Sequence, residues 1–275
     1  MFRIEKDLPK ISCLMVTANG RLDYFKRSFN CYVNQTYPNK ELVIVNEGSK
    51  NYQNEIFEYA KNREDVRFVF LNGWYSLGAL RNISIGLSFG EIFVQWDDDD
   101  FNMPERLAIQ YNYLSKHPKA ECCYLTEQLH YYFYTSMLFW EDWFNFGSAG
   151  LKRCSLIPGT LMAWRKNFHF KYPAVGQHCS AGEDSILSNE MCEKNDEKII
   201  LLSNFGHMQI YTYHGKNTFD IDHHMNLSRH RSLSCDKIIK NRDKIYETMN
   251  YMNLSKKIKV MGREGLAFIY ENELI

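Results

Sequence analysis

Short apolar runs of strand length alternate, through the first hundred residues, with segments whose apolar positions recur every three or four residues. Residues 11–17 form such a run, closed by the turn signal Ala18, Asn19 and Gly20, and predict a buried first strand. Leu22, Phe25, Phe29, Tyr32 and Val33 then share one helical face until Pro38 stops the helix. Residues 41–45 predict a second strand ending in Asn46, Glu47 and Gly48. A helix over 54–61 leads to a strand over 66–71, and a helix over 77–88 feeds a fourth run, 91–96. Strand and helix alternating four times with short connections predicts right-handed βαβ units on a mainly parallel sheet. In such sheets ligands sit beyond the C-terminal strand ends. The tips at 17–19, 46–47, 72–73 and 97–100 would therefore line one crevice, a geometry suited to a nucleotide and a metal together.

Further along, a helix over 104–116 and a strand over 120–126 continue the pattern, which then breaks. Residues 130–146 are crowded with aromatic rings, read mostly as packing, and Gly147 to Gly150 end that segment. Strand character resumes over 159–164. Gly182, Glu183, Asp184 and Ser185 open a helix, and 198–202 and 208–213 predict late strands, the second ending at His214, Gly215 and Lys216. Residues 221–224 are histidine-rich without a usual zinc spacing. One amphipathic helix is expected over 236–252, and 256–275 is a mixed tail with no assigned role.

Composition narrows the class. The 275 residues are 45% apolar and 15% aromatic, ample for a folded core. Thirty-three basic residues balance thirty-three acidic ones, so no overall field draws the chain to nucleic acid or anionic lipid. The eight cysteines are scattered without a Cys-x-x-Cys pair, which favours reduced thiols. A charged N-terminus and the lack of any long apolar stretch predict no export signal, no membrane span and a cytoplasmic protein.

The strongest chemical signal is the run Asp97, Asp98, Asp99 and Asp100 at the end of the fourth apolar run. Adjacent carboxylates repel, by about 1 kcal/mol at 4 Å in bulk water and more near a low-dielectric surface. A divalent cation is their natural counter-charge. In an extended chain Asp97 and Asp99 would point one way and Asp98 and Asp100 the other. Asp100 competes as the cap of the helix that follows.

These residues, in order, resemble the GT-A-fold inverting glycosyltransferases of family 2, which use nucleotide-diphospho-sugars. The resemblance covers roughly residues 9–217. It rests on the strand ending at Val16 and Thr17, the run 34–45, the turn Glu47, Gly48 and Ser49, and the segment Gly78, Ala79, Leu80, Arg81 and Asn82. The Asp-x-Asp strand end with Met103, Pro104, Glu105, Arg106 and Leu107 follows, and then Gly182, Glu183 and Asp184. The resemblance implies an α/β GT-A fold with a mainly parallel central sheet flanked by helices and a C-terminal extension on the acceptor side. Residues 1–126 would form the nucleotide-sugar-binding half, 127–232 the acceptor-binding and catalytic half of the same domain, and 233–275 a C-terminal helix and tail.

It further implies a nucleotide site of Thr17, Ala18, Asn19, Arg21, Glu47, Arg81, Asp97, Asp98 and Lys216. Asp99, Asp97 and His214 would hold Mn²⁺ or Mg²⁺, and Asp184 would be the general base with Glu183 as its understudy. The expected donor is a UDP-sugar and the acceptor a hydroxyl of a glycan or another molecule. Val16 stands where the family usually has proline, and Asn46-Glu47 where it often has two aspartates. The Gln-x-x-Arg-Trp element of processive synthases is missing, which favours transfer of single sugars. Two other readings use the same residues: a non-catalytic sugar-nucleotide or glycan-binding module, and a metal-dependent phosphohydrolase or nucleotidyltransferase. The last would need two or three separated acidic motifs for two metals.

Overall fold

The structure, a computed structural model, describes residues 8–146, 156–255 and 257–272; the expected turn at 147–150 lies outside them. The opening alternation forms as patterned: β1 (Ile11–Thr17), α1 (Leu22–Val33), β2 (Lys40–Asn46), α2 (Lys50–Ala60), β3 (Val66–Phe70), α3 (Leu77–Leu87) and β4 (Ile92–Gln95). Both faces of β1, β2 and β4 are covered, which is why they read as continuous apolar runs. All are parallel, with Ile11 opposite Lys40 on one side and Ile92 on the other, and Leu42 opposite Val66. Helix α2 begins four residues before the expected start because Ser49 caps it, accepting from the Tyr52 N–H. Ser76 caps α3 in the same way through the Ala79 N–H.

The second half contributes β5 (Phe101–Asn102), α4 (Arg106–Ser115), β6 (Cys122–Leu125), β7 (Glu127–Tyr132), β8 (Met137–Asp142) and α5 (Trp143–Phe146). Next come β9 (Met162–Trp164), α6 (Glu183–Asn195), β10 (Ile199–Leu202) and β11 (Gln209–Tyr213). The chain continues through α7 (Ile221–Arg231), α8 (Cys235–Lys240), α9 (Arg242–Met252), β12 (Lys257–Gly262) and β13 (Gly265–Glu271). Strand order in the first sheet is β10-β6-β9-β4-β1-β2-β3, with β9 antiparallel to both its neighbours. A second sheet, β13-β12-β8-β7-β11-β5, was not expected from the sequence.

Several expectations are corrected here. The aromatic segment is a hairpin, β7 and β8, because its rings fill both faces of a strand pair. The histidine-rich stretch starts helix α7, capped by Asp220. The single C-terminal helix is two, divided at Asn241, and the tail is the hairpin β12–β13. Asp100 does not cap α4. The β5–β11 pairing draws it to the second sheet, where it accepts from the Thr212 N–H and the Gln209 amide at 3.1 Å each. Among the described residues no helix is long and apolar enough to cross a membrane, and no disulfide joins the seven described cysteines.

Candidate active site

Strand β4 ends at Gln95, so the pleat does not extend through the acidic run and the expected two-way alternation fails: Arg21 bridges Asp98, at 3.0 Å, and Asp99. Each aspartate meets a different partner. Asp97 accepts from Arg81 at 3.0 Å and from the Gln95 amide at 3.2 Å. Asp98 is buried, and its Oδ2 has no hydrogen-bond partner. Asp99 lies 3.0 Å from His214 Nε2 and its backbone carbonyl accepts from the Thr212 hydroxyl at 2.5 Å. His214 is carried by the end of β11 and buried against Tyr24, ring centroids 4.1 Å apart. Its N–H donates to Asn217 at 2.9 Å, folding the next loop back on itself.

Helix α3 brings Arg81 to the centre, where it donates to both Asp97 and Glu183 at 3.0 Å. Burial opposes its charge, but Asp97 and Glu183 outweigh it and hold the guanidinium firmly protonated. Two glycines permit this arrangement. A Cβ at Gly78 would stand 2.0 Å from the Pro173 carbonyl oxygen, so only glycine lets α3 approach the segment that leads to α6. At Gly159, where φ is +82°, a Cβ would reach 2.8 Å from Asp97 Oδ2. Beneath the floor, fully buried Arg106 donates to Asn102, to Gln110 at 3.1 Å, and to the carbonyls of Gln95 and Gly159 at 3.3 and 2.8 Å.

Among the described residues, one cleft is lined by Asp97, Asp98, Asp99, Glu183 and Asp184 against Arg21 and Arg81. Burial and neighbouring Asp99 raise Asp98 to about 7, despite Arg21. Asp99 is held below the ordinary carboxylate range: burial opposes its charge, but His214 and Arg21 prevail. Asp184, at the start of α6, is raised to about 6 by burial and by Glu183, against the pull of Arg81.

Of the residues expected at the nucleotide, Arg21, Arg81, Asp97 and Asp98 line this cleft. Thr17 stands beside it, 2.7 Å from the Tyr52 hydroxyl. Ala18 and Asn19 are exposed, and Asn19 accepts from the Ser49 N–H at 2.9 Å, tying two strand tips together. Glu47 accepts from the Tyr75 N–H at 2.5 Å, and Lys216 is exposed beside His214. Of the expected metal ligands, Asp99 and His214 meet directly while Asp97 is engaged by Arg81. Among the described residues no three Asp, Glu, His or Cys side chains form a ready-made ion site. Gln95, Gly159 and Thr212 were not anticipated, and Arg106, within the run 103–107, was given no role in the site. Only the folded chain puts them under the acidic run.

The sequence profile described as Glycosyl transferase family 2 matches residues 12–169. An uncharacterized glycosyltransferase of Methanocaldococcus jannaschii is 32% identical over 114 residues, covering 40% of this chain and 39% of that protein. The cholesterol galactosyltransferase of Borreliella burgdorferi is 31% identical over 80 residues, 29% of this chain and 22% of that one. The chain thus spans well under two thirds of the curated relatives it matches. Among solved structures, S. aureus TarS 1–349 in complex with UDP-GlcNAc superimposes with a TM-score of 0.58 at 16% identity, covering 88% of this chain and 65% of that chain. The Pyrobaculum calidifontis mannosyltransferase PcManGT, in complex with GDP-Man and Mn²⁺, gives 0.55 at 13% identity, covering 91% and 72%. The two-sheet architecture is therefore that of the GT-A glycosyltransferases.

Proposed function

The chain belongs to glycosyl transferase family 2, and on that premise we propose that it is a metal-dependent inverting glycosyltransferase. It transfers one sugar from a nucleotide-diphospho-sugar, a UDP-sugar by preference, to a hydroxyl of a glycan or other acceptor. The observation that carries this reading is the imbalance of the cleft, where five carboxylates face two arginines that are already engaged. A diphosphate could not enter that field unaided. Asp99 and His214, which meet at 3.0 Å, would hold a divalent cation from the protein side, and Asp98, whose Oδ2 has no hydrogen-bond partner, precedes Asp99 in the same run. Such a cation would supply charge neutralisation of the departing diphosphate.

Arg21 and Arg81 complete the anion-binding side, and Thr17, Asn19 and Glu47 stand at the strand tips where the nucleoside would lie. Glu183 is turned onto Arg81 and positions it, whereas Asp184 makes no ion pair among the described residues and accepts from the Ser185 N–H, which leaves it to act as base. Asp184 takes the proton of the acceptor hydroxyl as that oxygen bonds to the anomeric carbon. The bond from that carbon to the β-phosphate oxygen breaks at the same time, and its electrons leave with the nucleoside diphosphate. The anomeric centre inverts. On this reading residues 1–126 serve the donor and 127–232 the acceptor.

Incubation with a panel of UDP-, GDP- and dTDP-sugars, with Mn²⁺ or with excess chelator, tests the proposal. UDP release that requires the cation is expected. Release that is unchanged by chelator would overturn the metal, preference for GDP-sugars would overturn the uridine assignment, and no release from any donor would overturn the activity.

A further inference from the structure

Asp184, Tyr211 and Phe219 line a second cavity as well as the carboxylate cleft, so the two meet at the proposed base. This cavity holds about 160 Å³, an order of magnitude more than the roughly 10–15 Å³ a single water needs by the same measure. Its inner wall comes from β7, β8 and α7, elements that the donor cleft does not require. Glu141, on β8, is the hub of that wall. It is buried and accepts from His130 Nδ1 at 2.8 Å, the Ser228 hydroxyl at 2.6 Å, and Gln128 and Trp143 at 2.9 Å each. Burial opposes the charge, but His130 and the other donors hold the carboxyl down at about 2.

Glu141 thereby fixes the orientation of its neighbours. Gln128 spends its amide N–H on Glu141, which leaves Oε1, and His130 spends Nδ1, which leaves Nε2. Both remaining atoms are buried and have no hydrogen-bond partner, as does Nε2 of His224, whose ring stacks on Tyr211 at 5.3 Å. Buried polar atoms left unpaired are costly unless something fills the site. Among the described residues the lining includes no lysine or arginine, so none of them offers a fixed positive charge to a phosphate or carboxylate. What fits is a molecule with hydroxyls to donate and an apolar face to lay against Trp143 and Phe219.

We propose that this cavity is the acceptor subsite and that it takes an uncharged pyranose, its hydroxyls read by Gln128 Oε1 and by Nε2 of His130 and His224. The reacting hydroxyl is then delivered to Asp184. This deepens the glycosyltransferase reading and rests on it. Gln128, His130 and His224 are specificity residues, while Glu141 and Ser228 act through them.

The test uses methyl glucoside, galactoside, mannoside and 2-acetamido-glucoside as probes, with glucose 6-phosphate and glucuronate as charged controls. Binding to the whole chain is read by saturation-transfer NMR with and without UDP and Mn²⁺, and UDP binding is read separately by calorimetry. At least one neutral hexoside should bind, and the charged controls should bind more weakly. Gln128→Leu and His224→Phe should each weaken the hexoside about tenfold, the loss of one hydrogen bond, with UDP affinity unchanged. If Gln128→Leu fails to fold, His224→Phe, which keeps a ring against Tyr211, carries the test alone. The proposal is overturned if no neutral hexoside binds, if both variants bind it as the parent does, or if charged sugars are preferred. Displacement of the hexoside by UDP-glucose but not by UDP would assign the cavity to the donor's sugar and overturn it too. Failure of UDP to bind with Mn²⁺ would count against the glycosyltransferase reading, and hexoside binding would still judge the cavity.

Discussion

Replacing Glu183 by glutamine separates the charge that tunes Asp184 from the geometry that holds Arg81. Burial and the Glu183 carboxylate together keep Asp184 at about 6. If Asp184 is the base, only its ionised form works. Roughly nine-tenths is ionised at pH 7 and roughly one-tenth at pH 5, so kcat should fall about tenfold across that interval. Glu183→Gln keeps an oxygen to accept from Arg81 Nε, now 3.0 Å away, and removes the negative charge. It also leaves Arg81 fewer anions to satisfy, which pulls Asp184 in the same direction. A downward shift of about one unit is expected, so that at pH 5 the variant keeps about half its plateau rate where the parent keeps about a tenth. Stability runs the other way. The folded value of Asp184 lies above the ordinary 3.8, so the folded state binds the proton more tightly than the unfolded chain. Its contribution is fully present below about pH 4 and is lost as pH rises through about 6. The assay is UDP release at saturating donor, acceptor and Mn²⁺ between pH 4.5 and 8, beside a thermal melt at each pH. An inflection that stays near 6 in Glu183→Gln, or Asp184→Asn turning over at the parent rate, would refute the reasoning.

Asp99→Ala should abolish Mn²⁺-supported UDP binding in calorimetry, while Asp184→Asn should leave it nearly intact. His214→Ala should weaken UDP binding with Mn²⁺ more than with Mg²⁺, because imidazole is the better ligand for the softer ion; equal loss with both cations would remove His214 from the metal. Arg106→Leu strips the carbonyls of Gln95 and Gly159 of their donor, and denaturant unfolding should report a loss of about 3–5 kcal/mol. Gly78→Ala forces α3 away from Pro173, and about 1–3 kcal/mol of destabilisation is expected in the same experiment.

Sequence alone determined the opening strands β1 to β4, the helices between them and the acidic tip. Parallel strands covered on both faces demand continuous apolar runs, and helices on those faces demand a period of three to four, so 11–17, 41–45 and 77–88 were legible to within a residue or so. Four adjacent aspartates announce electrostatic chemistry whatever the fold. The second sheet was harder. Strands β7 and β8 are buried on both faces and crowded with rings, which hides a period of two. Strand β12 does alternate, Lys257 and Lys259 exposed and Ile258 and Val260 buried, a signal present but unread. Which partner each aspartate takes was decided only by tertiary structure. Strand β11 lies more than a hundred residues from Asp99 along the chain, and its pairing with β5 and β7 brings His214 and Thr212 to the acidic run. The cavity beyond Asp184 is of the same kind. Gln128, Glu141 and His224 carry no spacing that relates them, and they become one wall because β7, β8 and α7 pack together and leave buried polar atoms for a ligand to satisfy.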